Sequence, residues 1–208
     1  MTGNREQNIR RIIEMEDRIC QCQRCPFLVR CIRKPSMGKG ELDPELIMVF
    51  EHENNFTSDI NNIISIRNSI KKVMKIEKIY HTFLVRCQPK ACTNHQSANC
   101  YGEGKWIDKD YTCLLSGRYC DGIPVRPGTG EIISCLPFLL EEVEILHPPY
   151  LILFGEKVAE FVLKSYGILT SISINQRYEY EDMVFFTSVR ENQFKQESCN
   201  DLLPLLNK

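Results

Sequence analysis

The sequence predicts an α/β fold in which a central parallel sheet is covered by helices on both faces. Three observations carry that expectation. Continuous apolar runs of strand length recur at 46–50 (LIMVF), 79–87 (IYHTFLVRC), 150–155 (YLILFG) and 183–188 (MVFFTS), and unbroken apolar strands are those buried on both faces. Segments of helical period lie between them. With 208 residues, 43% hydrophobic and 25% charged, the chain has ordinary globular composition and enough length for one full core.

Residues 4–19 place Ile9, Ile12, Ile13, Met15 and Ile19 at near-helical spacing and predict an amphipathic helix. It runs into CQCQRCPFLVRC, where close cysteines and a proline break it, and then into the turn-rich PSMGKGELDPE. After the first strand, 58–74 reads as a helix capped by Asp or Ser, with Ile60, Ile63, Ile64, Ile66, Ile70 and Val73 as its buried stripe. Residues 88–130 are rich in Gly, Asn, Asp, Pro and Cys and hold no sustained period, which marks an insertion within a single domain spanning 1–208. Helices follow at 131–146, with Pro137 near the first turn, and at 156–167, closed by Gly167. A short strand pair at 172–174 and 177–181 precedes the last strand, and 198–206 forms a final helix.

No run of eighteen apolar residues occurs and the first eleven residues are polar and charged. The expectation is a soluble, cytoplasmic chain without signal peptide or membrane anchor. A net charge of −1 argues against binding nucleic acid over the whole surface. Residues 1–40, however, carry a local +5 against −6 for the rest, which describes either a basic face or a solvated helix surface.

Eleven cysteines is the outlying number. Secreted disulfide scaffolds are short and need export, so clustered cysteines here point to metal or iron–sulfur ligation. Cys22 and Cys25 form a C-x2-C hook after the first helix, Cys87 ends the second strand, and Cys135 lies early in the helix after the insertion. Two ligands from one tight turn plus two distant single ones suit tetrahedral zinc or a four-iron cluster; four small buried thiols are the alternative.

The runs CQRCPFLVR, SMGKGELDPELIMVFE, IYHTFLVRCQP and SCLPFLLEEVEILHPPYLILFGEKVAEFVL resemble the iron–sulfur uracil-DNA glycosylases of the family-four type. In that family a C-x2-C-P-L hook leads to G-x-G-x-P-D-A-E-I-M-F-V-G-E-A-P-G. A strand then ends in V-V-K-C-R-P, and A-C-R-P-F-L-E-E-Q-L-E-L-I-R-P-K-V-I-V-A-L-G follows. The resemblance covers about 20–90 and 130–167, roughly half of the chain. It implies a three-layer αβα fold of the uracil-DNA glycosylase type and a 4Fe–4S cluster on Cys22, Cys25, Cys87 and Cys135. It also implies DNA as partner and a role in DNA repair or metabolism.

Those enzymes flip uracil out of the duplex, stack it on an aromatic ring and read its edge with a side-chain amide. Here their G-E-A-P-G turn reads FEHENN, keeping Glu51 in register but losing the flanking glycines and proline. Phe83 stands where the family places the uracil-reading Asn of T-N-V-V-K-C, and a phenyl ring makes no paired hydrogen bonds. The segment with the stacking Phe is deleted between Asn55 and Ile63, and no His follows Pro148. The four departures imply that ordinary uracil excision is lost or replaced. The reworked site would centre on Glu51 as candidate catalytic carboxylate, with His52, Glu53, Asn54 and Asn55. Phe83, Arg24 and Lys39 are further DNA-contacting candidates. The competing reading is a non-catalytic interaction or redox-sensing module with a protein partner.

The family joins its third and fourth ligands by a short loop, whereas 47 residues separate Cys87 from Cys135. The added length brings Cys92, Cys100, Cys113 and Cys120, which point to a second metal, most simply zinc, stapling the loop. Reduced thiols or alternative ligands for the first cluster are the other readings. Trp106, Tyr101, Tyr111 and Tyr119, mixed with Lys105, Lys109, Arg118 and Arg126, could stack on bases or form the small core of the loop. Cys20, Cys31 and Cys199 are expected bystanders.

Overall fold

A computed structural model describes residues 2–25, 35–87, 90–91, 112, 117–118, 123–124 and 126–206. Eight strands are described: β1 (Lys39–Gly40), β2 (Leu46–His52), β3 (Ile79–Val85), β4 (Lys90–Ala91), β5 (Ile123–Pro124), β6 (Tyr150–Phe154), β7 (Arg177–Tyr180) and β8 (Met183–Ser188). Five helices accompany them: α1 (Thr2–Cys20), α2 (Ile60–Met74), α3 (Thr129–Leu146), α4 (Glu156–Ser165) and α5 (Gln196–Leu206). The expected insertion cysteines Cys92, Cys100, Cys113 and Cys120, together with Cys31, lie outside the described residues.

Six strands form one sheet in the order β1-β3-β2-β6-β8-β7, and β4 pairs with β5 apart from it. The inner strands β3, β2, β6 and β8 are parallel, as the four apolar runs predict. The edges are not: β1 runs antiparallel to β3, and β7 antiparallel to β8. The sheet is therefore mixed: its central strands are parallel as expected, and the expectation of a parallel sheet is corrected at the two edges. Only Glu181 and Asp182 join β7 to β8, with Glu181 left-handed at φ 52°. A two-residue link can return a strand only antiparallel, because parallel pairing needs a crossover of a dozen residues or so.

Strand alternation divides the core into two layers. Ile47, Val49, Leu151, Leu153 and Phe185 face α1, α3 and α4, while Leu46, Met48, Phe50, Ile152, Phe154 and Phe186 face α2 and α5. Helices thus cover both faces. None of those described is long and apolar enough to cross a membrane.

The helix ends follow local chemistry. The Asp59 carboxylate accepts from the Asn61 amide at 2.9 Å and caps α2. At the end of α4, Gly167 at φ 77° lets its N–H reach Lys164 O and that of Ile168 reach Leu163 O, each at 3.0 Å, the paired closure that glycine favours. Three expectations need correction. Helix α3 starts at Thr129, so Pro137 is interior; it sits on the exposed side, where water can take the carbonyl it leaves unbonded. Residues 172–174 form no strand; Ser173 instead offers its carbonyl to Thr187 Oγ1 at 2.6 Å. Ile13, Ile60 and Ile64 are exposed, because the buried stripes run Ile12–Met15–Ile19 and Ile63–Ile66–Ile70–Met74.

Candidate functional site

Two regions gather chemistry-bearing side chains, and both lie at the carboxyl ends of β2 and β3. The first is a corner of cysteines. Helix α1 ends as the Cys22 amide bonds Ile19 O at 3.1 Å, leaving Cys22 and Cys25 in the turn that follows. Cys87 comes two residues after β3. Cys135 sits in the second turn of α3, on the face that also buries Ile132, Leu139 and Glu142. Cys22, Cys25 and Cys87 pack against the core that contains Cys135.

Their electrostatics show that the four are neighbours. Burial pushes the Cys87 thiol up to about 12, and Cys135, Cys22 and Cys25 all push it the same way. Cys25 is raised first by burial, against a hydrogen bond with Ser134, and then by Cys135 and Cys22. Cys135 is raised by burial and drawn back by the Arg86 N–H, which donates to its Sγ at 3.3 Å, and by the Arg86 charge. The bare thiols of Cys25, Cys87 and Cys135 stay protonated; a bound cation inverts that preference. Among the described residues no three His, Cys, Asp or Glu side chains converge on the spacing of a single metal ion.

Beside the corner lies a buried polar network. Glu142 accepts from Tyr80 Oη at 2.8 Å, and from Thr82 Oγ1 and Arg86 Nη2 at 2.5 Å each. Arg86 and Glu142 side chains are each 1% exposed.

The second region is a crevice of about 430 Å³. Its position follows from the topology. The chain leaves β2 toward β3 by α2 on one face, and leaves β6 toward β8 by α4 on the other. Adjacent strands whose connections depart in opposite directions leave a gap beyond their carboxyl ends, the usual ligand position in open α/β sheets. Glu51 and His52 end β2, Phe154 ends β6, and Gly155 turns the chain into α4 at φ 90°.

Glu51 and His52 are 8% and 6% exposed, and Glu51 Oε1 and His52 Nδ1 have no hydrogen-bond partner. Lys157 Nζ lies 3.3 Å from Glu51 Oε1, within ion-pair reach, while its hydrogen bond goes to Pro127 O at 2.6 Å. Burial lowers the His52 pKa, and Arg126 and Lys157 lower it further against Glu51, so the imidazole is neutral. Arg126 and Arg190 complete a cationic rim, opposed by Glu191.

A second cavity of about 300 Å³ is lined by Lys39, Glu53, His81 and Phe83, among others. Arg67 Nη2 stands 2.7 Å from His81 Nδ1. A guanidinium only donates, so Nδ1 accepts and the ring proton sits on Nε2. Burial, then Arg67 and Lys39, push His81 down to about 3.

The residues expected from sequence therefore separate. Glu51, His52, Asn54 and Asn55 line the crevice; Lys39, Glu53 and Phe83 line the second cavity. Arg24 joins neither, because its guanidinium lies 4.7 Å over the Phe138 ring beside the cysteine corner. The Asn54 side chain is already committed: its Oδ1 accepts from the Phe56 and Thr57 amides at 2.9 and 3.1 Å, and its Nδ2 donates to the Glu191 carboxylate at 2.7 Å. Sequence reasoning missed Lys157, Arg190, His81 and the Arg86–Glu142 pair, and took Arg126 for part of the insertion alone. The available signals were a glycine turn before Lys157 and a carboxylate, Glu142, seven residues after Cys135 on an otherwise apolar helix face.

No family model matches the chain, and no curated protein matches it significantly.

Proposed function

We propose that the chain is an iron–sulfur, nucleic-acid-binding protein on a uracil-DNA glycosylase-like frame, in which ordinary uracil excision is lost or replaced. The observation that carries this reading is the crevice. Two buried side chains, His52 with an unpartnered Nδ1 and Glu51 whose Oε1 meets only the Lys157 ammonium, line a space rimmed by Arg126, Lys157 and Arg190. Buried polar atoms are seldom left without a partner, so a ligand with its own donors and acceptors is expected there. Cations at the rim suit a phosphate, and neutral His52 and Glu51 suit a base or sugar edge.

Cys22, Cys25, Cys87 and Cys135 would hold the cluster. Four close thiols and a neighbouring guanidinium with unpartnered buried nitrogens are a donor set and charge environment that fit it. Bound there, a four-iron cluster supplies a covalent cross-link between α1, the end of β3 and α3. A reducing cytoplasm accords with ligands kept as thiols. At the base-reading position Phe83 offers neither donor nor acceptor. The chemistry left is therefore excision of another base, or binding alone.

The test is anaerobic purification followed by iron analysis, with oligonucleotides carrying individual damaged bases assayed for binding and for abasic product. Brown protein with about four irons per chain that binds oligonucleotide in competition with phosphate is the expected result. Binding unchanged by loss of the Lys157 and Arg190 charges would refute the crevice as the nucleic-acid site. A partner protein captured there instead would favour the interaction-module reading.

A further inference from the structure

Cys135 and Glu142 lie two turns apart on one face of α3, and Arg86 touches both. Its backbone N–H donates to Cys135 Sγ at 3.3 Å, and its side-chain Nη2 donates to Glu142 Oε2 at 2.5 Å. Glu142 needs nothing more, since Tyr80 and Thr82 also donate to it. Arg86 does need more: Nε and Nη1 are buried without a partner, on a side chain 1% exposed. A guanidinium carries five N–H donors in a fixed plane, and buried donors left unmade are costly. A hydrophobic residue would suit a site whose only task was packing.

Four thiolates would leave a four-iron cubane with net negative charge, in a corner where Cys135 is buried and the other three thiols are half-buried. We propose that Arg86 is a positioning residue for that cluster. Its unpartnered donors and its charge balance the metal–thiolate anion, while Glu142, fixed by Tyr80 and Thr82, holds the guanidinium in place. This rests on the cluster reading above and adds a role for residues that ligate nothing. Hydrogen bonds and nearby charge are among the levers that set cluster potentials.

The two partners carry opposite charges, so their removal has opposite signs. A nearby cation stabilises the more negative, reduced state. Arg86→Met therefore lowers the midpoint potential of the holoprotein, measured by protein-film voltammetry, and Glu142→Gln raises it. Arg86→Lys stays nearer the native value, and Arg86→Met/Glu142→Gln falls between the single variants. Should Arg86→Met alone fail to fold around its stranded carboxylate, Glu142→Gln and the double variant carry the test. Fe–S stretching bands in resonance Raman spectra give a second readout: without the Arg86 donors they move to higher frequency. Shifts of the same sign for both partners, or unmoved potential and bands in iron-replete variants, overturn the proposal. Native protein without iron overturns the cluster reading itself, and iron analysis of that protein separates the two failures.

Discussion

Cysteine corner and crevice open from the ends of neighbouring parallel strands, yet they are built in opposite ways. In the corner the thiols belong to the core: Cys135 is 8% exposed and the other three pack against the same apolar cluster. Each comes from a segment that packing alone would bring there. In the crevice, by contrast, packing stops. Its walls come from β2, β6, the α4 start and the chain after β8, and they leave His52 Nδ1 buried without a partner and Glu51 Oε1 met only by the Lys157 ammonium. The corner is a place where elements need tying together; the crevice is a gap that topology requires and side chains then decorate. Damage to the corner should therefore spread through the fold, and damage to the crevice should stay local.

The largest effect is expected at Cys135. On the proposed cluster, Cys135→Ser removes one of four ligands at the most buried position, so it should release the iron and bleach the protein. Loss of a structural metal site removes folding free energy directly. A drop of about 3–5 kcal/mol, or roughly 10 °C in Tm, is expected for a domain of this size. Full colour and unchanged melting in that variant would remove Cys135 from the ligand set.

Lys157→Ala tests the converse. It deletes the cation 3.3 Å from Glu51 Oε1 and the tie to Pro127 O. Oligonucleotide affinity should fall about tenfold, or about 1.4 kcal/mol, in fluorescence anisotropy, while iron content stays native. Iron lost along with binding would show that the two regions are one unit.

His81 sharpens the contrast on the polar side. Its folded pKa of about 3 lies below the ordinary 6.5, first because it is buried and then because Arg67 and Lys39 stand beside it. A lowered pKa means that the unfolded chain binds the extra proton first. The contribution is complete above 6.5 and is lost as the pH falls toward about 3. In that window one proton adds a slope of about 1.4 kcal/mol per pH unit. His81→Asn, whose carbonyl can still accept from Arg67, should flatten the native profile by about that slope in urea unfolding. Parallel profiles would place His81 in a solvated setting.

What was legible follows the same division. Strands β2, β3, β6 and β8 could be read because each is buried on both faces and spells a continuous apolar run. Strand β7 was read at 177–181 although RYEY is only half-buried, while β1 could not be read, since the two residues KG face solvent and lack that signal. The cysteine corner was legible from a hook and two spaced thiols, because candidate ligands mark themselves by residue type. Glu51 and His52 were placed by their motif, but the rest of the crevice was not. Arg126, Lys157 and Arg190 are far apart in sequence and ordinary in kind; only the departure of β2 and β6 connections to opposite faces assembles them. Glu142 was the readable clue left unused: a carboxylate on the buried side of LLEEVEIL requires a partner, and Arg86 precedes the third thiol.

The smallest expected effect is none at all, and it concerns the second cavity. Uracil is told from cytosine by a donor–acceptor pair on its edge, and a site built to make those bonds rejects other bases by large factors. Phe83 is 4% exposed and packs 6.0 Å from both the Phe50 and His81 rings, so the position is an apolar wall. Native protein should release no uracil from single- or double-stranded oligonucleotides. Glu51→Ala should leave that result unchanged, because no reaction is there to lose. Phe83→Asn should not create one, even in variant protein whose far-ultraviolet spectrum confirms folding. The amide would return without the stacking ring or the glycine turn, and each missing stabiliser typically costs about a hundredfold or more in rate. Uracil release by native protein that Glu51→Ala abolishes would show that the crevice is a working glycosylase site with substitute residues. Release gained only in Phe83→Asn would show that a single aromatic wall separates this chain from that activity.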